Sequence, residues 1–239
     1  MPARTLQDLV SAAASLHPDR AAVLYDSGSG ETPGSLLYRE VVQLAEDLSA
    51  ALLQTCSPRD GAVGLYCSDD LLVPAWILGI LQSSAAYVPL DPEAPGLLTA
   101  RVMSQCGLKY CAVNRDLVQR FQEAVVDHVP VEVCVELPQF RLTLMHIEPR
   151  PVAEDGPQRA GGCDPSDKTV PLKDSGRPDL AYILHTSGTT GPPKTVRVPH
   201  RCIVPNILHL RSVWLFFLLQ RSGCEIRSGL FLCSDLCFR

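Results

Sequence analysis

Long membrane-spanning runs, a broad excess of positive charge and paired metal-binding cysteines are all missing from this chain, and each absence removes a class of function. The apolar stretch Val213-Trp214-Leu215-Phe216-Phe217-Leu218-Leu219 has seven residues, where a helix needs ~20 to cross a bilayer. Met1 to Arg20 has no continuous apolar segment and carries Asp8 and Asp19, which argues against a secretory signal. With 21 Lys and Arg against 26 Asp and Glu, the net charge is -5. No broad positive field exists for nucleic acid or anionic lipid, so neither is an expected partner, and any attraction for a polyphosphate must be local. The ten cysteines form neither a pair of C-x-x-C knuckles nor a C-x-x-C with a nearby His pair, so no metal site is expected among them. No Cys/His/Asn signature surrounds any of them. They read as reduced thiols, mostly small core residues, in a cytoplasmic protein.

What is present is an ordinary globular composition, 46% apolar and 20% charged over 239 residues, enough for one large domain or two small ones. Thr5 and Asp8 have the spacing of a capping box, and Leu6, Leu9, Val10, Ala13 and Leu16 recur at helical spacing as far as His17-Pro18. Ala21–Tyr25 reads as a strand, residues 27 to 35 as a turn, and Leu36-Leu37-Tyr38 as the returning strand. A helical stripe follows through Val41, Leu44, Ala45, Leu48, Ala51 and Leu52. Strands are then expected at Gly61–Cys67, Tyr87–Leu90 and Tyr110–Val113, alternating with helices at Leu71–Gln82, Leu97–Gln105 and Leu117–Val126. Such alternation predicts an α/β fold with a parallel sheet covered by helices. Val131–Val135 and Phe140–Met145 are further strand candidates. Residues 149 to 178 lose apolar periodicity and read as a loop or disordered insertion.

The chemistry concentrates in Tyr182-Ile183-Leu184-His185-Thr186-Ser187-Gly188-Thr189-Thr190-Gly191-Pro192-Pro193-Lys194, an apolar strand running into hydroxyls and glycines that end in one lysine. Glycine lets backbone N–H groups turn toward an anion, hydroxyls add short neutral donors, and lysine adds a mobile full charge. That set suits phosphate. The spacing is not that of a P-loop, which needs Gly, four residues and then adjacent Gly-Lys-Ser/Thr; here two prolines separate Gly191 from Lys194. His185 reads as a packing residue and His200 as a local hydrogen-bonding group that opens the next helix. Arg197 could face solvent or phosphate.

The pattern Thr-Ser-Gly-Thr-Thr-Gly-x-Pro-Lys resembles the phosphate-loop signature of the adenylate-forming enzymes: acyl-CoA synthetases, luciferases and adenylation domains of nonribosomal peptide synthetases. Leu37-Tyr38-Arg39-Glu40-Val41 and Ala85-Ala86-Tyr87-Val88-Pro89-Leu90-Asp91-Pro92 resemble the same family and occur in its order. The resemblance implies that residues 1–211 are the N-terminal portion of an AMP-binding adenylation domain. It implies ATP and Mg2+ as cofactors, with Thr186, Ser187, Gly188, Thr189, Thr190 and Gly191 wrapping the β- and γ-phosphates and Lys194 pairing with them as the catalytic lysine. Tyr87 and Asp91 fall in a motif whose role is mainly structural. The expected reaction joins a carboxylic acid, an amino acid such as beta-alanine, to AMP and then passes the acyl group to a thiol. That thiol belongs to coenzyme A or a carrier-domain phosphopantetheine in a full-length parent. A fatty or aryl acid is the alternative substrate. Residues 212–239 depart from the family pattern and are expected to lie outside the fold. The Tyr-Gly-x-Thr-Glu and Thr-Gly-Asp segments and the second lysine of relatives are not found after Lys194, so a non-catalytic fragment or truncated isoform is the rival expectation for this polypeptide alone.

Overall fold

The computed structural model describes residues 3–28, 32–56, 61–148, 179–186 and 194–221, with Thr186 and residues 211–221 described by backbone only. The chain opens with α1 (Leu6–Leu16), β1 (Ala21–Tyr25), β2 (Gly34–Leu37) and α2 (Tyr38–Thr55). There follow β3 (Ala62–Tyr66), α3 (Val73–Gln82), β4 (Ala86–Leu90), α4 (Gly96–Gln105), β5 (Tyr110–Asn114) and α5 (Val118–Val125). The last elements are β6 (Val131–Leu137), β7 (Leu142–Ile147), β8 (Leu180–Thr186), β9 (Lys194–Pro199) and α6 (His200–Arg221).

Local chemistry explains most boundaries. The Thr5 hydroxyl accepts from the Asp8 N–H at 3.2 Å while the Asp8 carboxylate accepts from the Thr5 N–H at 3.0 Å, the reciprocal box expected at the start of α1. Tyr38 proves to be helical where its neighbours suggested a strand. The Glu40 carboxylate accepts the Leu37 N–H at 2.7 Å and so starts α2 one residue after Leu37. Pro74 sits in the first turn of α3, where a missing N–H costs nothing.

Seven strands form the main sheet in the order β6-β7-β5-β3-β4-β8-β9, and β1 and β2 make a separate two-stranded ribbon. The central neighbours β5, β3, β4 and β8 are parallel, as the alternation of elements predicts. Both ends differ: β7 runs antiparallel to β5 and β6, and β9 antiparallel to β8. The reason is connection length, because a parallel crossover needs about a dozen residues or more. β6 reaches β7 through a single 3-10 turn, Pro138–Phe140, closed by Arg141 at φ 53°, and only residues 187–193 separate β8 from β9.

Side chains alternate across this sheet and build two cores. On one face Tyr66, Val88, Cys111, Val113, Met145 and Ile183 pack beneath α4 and α5. On the other, Val63, Leu65, Ala112 and Leu144 pack beneath α2 and α3, where Trp76 donates its indole N–H to the Phe140 carbonyl at 2.9 Å. The β1–β2 ribbon and α1 close over the outer side of α2 and α3 through Ala22, Tyr38, Val41 and Leu78. The expected insertion at 149–178 lies outside the described residues. So do residues 222–239 of the expected divergent tail, whereas the backbone of α6 passes through Arg211 as far as Arg221.

Glycines mark two places where helices touch. A Cβ on Gly79 of α3 would lie 2.9 Å from the Leu48 side chain of α2, and one on Gly96 of α4 would land on the Ala124 carbonyl of α5. A flexible leucine can yield but a helix backbone cannot. Gly96→Ala is therefore expected to destabilise the fold by about 1–3 kcal/mol and more than Gly79→Ala, as read from urea midpoints; equal or reversed losses would contradict that ordering.

Candidate phosphate-binding site

Two of the residues singled out by sequence lie at the ends of β8 and β9. Thr186 is the last residue of β8, Lys194 is the first of β9, and the two are cross-strand partners. Ser187, Gly188, Thr189, Thr190 and Gly191 lie between them, outside the described residues. Because β3, β4, β5 and β8 are parallel, Tyr66, Leu90, Asn114 and Thr186 all end at one edge of the sheet. β3 has β4 on one side and β5 on the other, and the carboxyl edge near such a reversal of strand order is where open α/β sheets bind ligands.

Other loops at this edge are tied together. Arg141 donates to Asp70 beyond β3 at 2.9 Å and to Asp116 beyond β5 at 2.6 Å. Arg120 pairs with Glu93, beyond β4, at 3.0 Å. The Asp91 carboxylate accepts the Glu93 N–H at 2.8 Å, and the Tyr87 ring lies 5.7 Å from that of Tyr182 on the neighbouring strand. Both contacts are structural, in keeping with the packing role expected of Tyr87 and Asp91. Sequence reasoning missed Arg141 and its two carboxylates, which come from three separate loops and share no local pattern.

Two histidines fix the β8–β9 hairpin at opposite ends. His200, buried at the start of α6, accepts the Leu6 N–H on Nδ1 at 3.2 Å, while its backbone N–H donates to the Asp179 carbonyl at 2.6 Å. Arg201 pairs with the Asp179 carboxylate at 3.0 Å. His200 thus opens a helix and serves as a local hydrogen-bonding group, as its place in Val-Pro-His suggested, and the bond joins the ends of two helices 194 residues apart. At the other end, His185 Nε2 lies 3.8 Å from Cys106 Sγ and 3.4 Å from Thr195 Oγ1. His185 therefore has polar partners in addition to packing. Cys106 and Thr195 carried no sequence signal beyond Thr195 following Lys194. Arg197 is exposed on β9.

Burial lowers the pKa of His185 below 6.5. Burial also lowers that of His200, against the opposing pull of Asp179 and Asp8. Burial raises the Cys106 thiol, with Arg197 opposing. At neutral pH the site therefore holds neutral imidazoles and a neutral thiol. Lys194 opens β9 opposite Thr186. Among the described residues no group of three or more His, Cys, Asp or Glu side chains could hold a metal ion, and no helix is long and apolar enough to cross a membrane.

The family model for AMP-binding enzymes matches residues 10–222, and the chain belongs to that family. It is 42% identical over 214 residues to the beta-alanine-activating enzyme of Danio rerio, covering 90% of this chain and 18% of that protein. It is 32% identical over 209 residues to tyrocidine synthase 3 of Brevibacillus parabrevis, covering 87% of this chain and 3% of that protein. The chain thus spans a small part of the curated relatives it matches. Among solved structures, the N-terminal subdomain of Klebsiella oxytoca NpsA in complex with 3-hydroxybenzoyl-AMSN aligns with a TM-score of 0.53 at 22% identity, covering 82% of this chain and 41% of that one. That likeness supports the α/β fold of an N-terminal adenylate-forming domain. The family uses ATP, usually with Mg2+.

The histidines give the fold a defined pH response. An imidazole whose folded pKa lies below its unfolded value of 6.5 contributes stability that is whole above that pH and is lost as the pH falls below it. Thermal midpoints of the protein are expected to drop as the pH falls below 6.5. His200→Leu should melt lower at neutral pH, since the Leu6 N–H loses an acceptor worth about 0.5–1.5 kcal/mol, and should show a shallower pH slope. An unchanged slope would contradict this assignment.

Proposed function

We propose that this chain supplies the phosphate-binding part of an ATP-dependent carboxylic acid activation, with an amino acid, beta-alanine, as the acid. The observation that carries the reading is the pairing of Thr186 with Lys194 at the carboxyl edge of the parallel strands, with the hydroxyl- and glycine-rich segment between them. The similarity to the beta-alanine-activating enzyme supports the choice of acid. When bound, ATP with Mg2+ supplies an activated phosphoryl centre and a pyrophosphate leaving group. The residues that would hold it are Thr186, Ser187, Gly188, Thr189, Thr190 and Gly191 around the β- and γ-phosphates, with Lys194 as the paired cation.

Charge decides why such a loop is needed. A carboxylate and a triphosphate repel, and negative charge accumulates on the departing pyrophosphate, so donors fixed in advance at that position lower the barrier. Hydroxyls at 186, 187, 189 and 190 would donate without adding charge, glycines at 188 and 191 would leave N–H groups accessible to an anion, and Lys194 would add one full positive charge. The donor set fits a polyphosphate in a chain whose overall charge is -5. In the full-length parent the acyl group would pass to a thiol of coenzyme A or of a carrier-domain phosphopantetheine. The ten cysteines, read as reduced thiols, agree with a cytoplasmic setting.

The test is the stabilisation of the 239-residue chain by Mg-ATP, since a ligand that binds only the folded state must raise its melting temperature. Lys194→Ala is expected to weaken Mg-ATP about 10- to 100-fold, the loss of a charge-assisted hydrogen bond. Pyrophosphate exchange with beta-alanine, a fatty acid and an aryl acid then assigns the substrate. Binding without exchange for any acid would make the chain a polyphosphate-binding module. An ATP-insensitive melt would overturn the reading.

A further inference from the structure

No residue of α1 is buried, and Leu16 at its end is 74% exposed. The helix rests on α2 and α3 through the half-buried Val10, Ala13 and Ala14, packed against Ala45, Ala75 and Leu78. Such small side chains bury little apolar area, so α1 opens at a lower cost than the cores that flank the sheet. Its first turn is fastened from outside that interface, by the Leu6 N–H donating to Nδ1 of the buried His200 at 3.2 Å. A backbone N–H can only donate, so Nδ1 must be bare whenever this bond exists. A proton on Nδ1 would set N–H against N–H and place a cation at the positive end of a helix dipole. Two carboxylates bear on the ring and favour its charge, Asp179 ahead of β8 and Asp8 in the first turn of α1. Each is already engaged, Asp179 by the Arg201 guanidinium at 3.0 Å and Asp8 by the Arg4 and Thr5 N–H groups at 2.9 and 3.0 Å.

We propose that His200 is an acid-sensitive latch, whose protonation frees the first turn of α1 and lets that helix leave α2 and α3 while the sheet stays folded. The latch works without any ligand. Release uncovers Ala45, Ala75 and Leu78, and it spares the two cores of the sheet, to which α1 contributes no residue. The neighbouring carboxylates stay ionised through the same pH range, since an ordinary aspartate titrates near ~4. Burial raises Asp8, but the N–H groups of Arg4 and Thr5 outweigh it and hold the carboxyl below its usual value. A charge on His17, at the far end of α1, would favour the helix through its dipole and so act in the opposite direction.

Backbone hydrogen exchange on the whole chain, converted to protection factors above and below pH 6.5, tests the latch. Residues 9–17 should be less protected than β3 and β5 at either pH, which marks a local opening. Their protection should fall about 2- to 10-fold on acidification, the range of one neutral hydrogen bond. His200→Asn, which keeps an acceptor near the position of Nδ1 and has no proton to gain, should hold α1 at its neutral-pH protection throughout. Leu6→Pro deletes the donor at the first helical position, where proline is tolerated, and follows an extended Thr5 that suits it. It should leave α1 weakly protected at both pH values, and His200→Leu should match it. Protection of α1 equal to that of β3 and β5 would mean that the helix opens only with the whole fold and would overturn the proposal. So would wild-type protection that ignores pH, or a full acid response in His200→Asn. If His200→Leu does not fold, Leu6→Pro and His200→Asn decide the matter by the same readout.

Discussion

The cross-strand pairing of β8 with β9 is the constraint on which the functional account depends. It brings Thr186 and Lys194 together although seven residues intervene, and it does so at the edge where the central parallel strands end. A lysine at that spacing on a free loop would lose side-chain and backbone entropy on meeting an anion. Started on a paired strand, it is already delivered to the loop's base. The rest of the sheet supports this hairpin: β4 receives β8 beside Tyr87, and the cores beneath α2–α3 and α4–α5 hold β4 from both faces.

Both ends of the hairpin are secured by histidine. His200 joins the return of β9 to the first turn of α1, and His185, at the loop end, meets Cys106 at the end of α4. Burial lowers the pKa of each imidazole, which leaves Nδ1 of His200 able to accept from Leu6. On the proposed reading, the donors for a phosphate would be neutral groups and one lysine in a protein that is acidic overall.

Much of this architecture is legible in the sequence because periodicity reports burial. Val63 and Leu65 alternate with Gly64 and Tyr66 onto opposite faces of β3, and the stripe through Val41, Ala45, Leu48 and Leu52 is the buried side of α2. Sheet direction is less legible. β7 is apolar enough to pass for a parallel strand and β9 carries too little apolar periodicity to be read as one; the direction of both follows from connections too short for a crossover. Tyr38 looks like strand because it is aromatic and follows two leucines, yet Glu40 caps it into a helix. The contacts of His185 escape a linear reading altogether, since Cys106 lies 79 residues away and meets it through the packing of α4 on β8. In the same way Asp70, Asp116 and Arg141 form one cluster only after three loops are brought to one edge.

The most direct test of the central claim is a map of hydrogen-exchange protection across the whole chain with and without Mg-ATP. If the β8–β9 hairpin cradles a polyphosphate, protection should rise in residues 186–194 and fade toward Leu180 and Pro199, with β6 and the β1–β2 ribbon unchanged. Protection that leaves 186–194 untouched, or that settles elsewhere on the fold, would contradict the account.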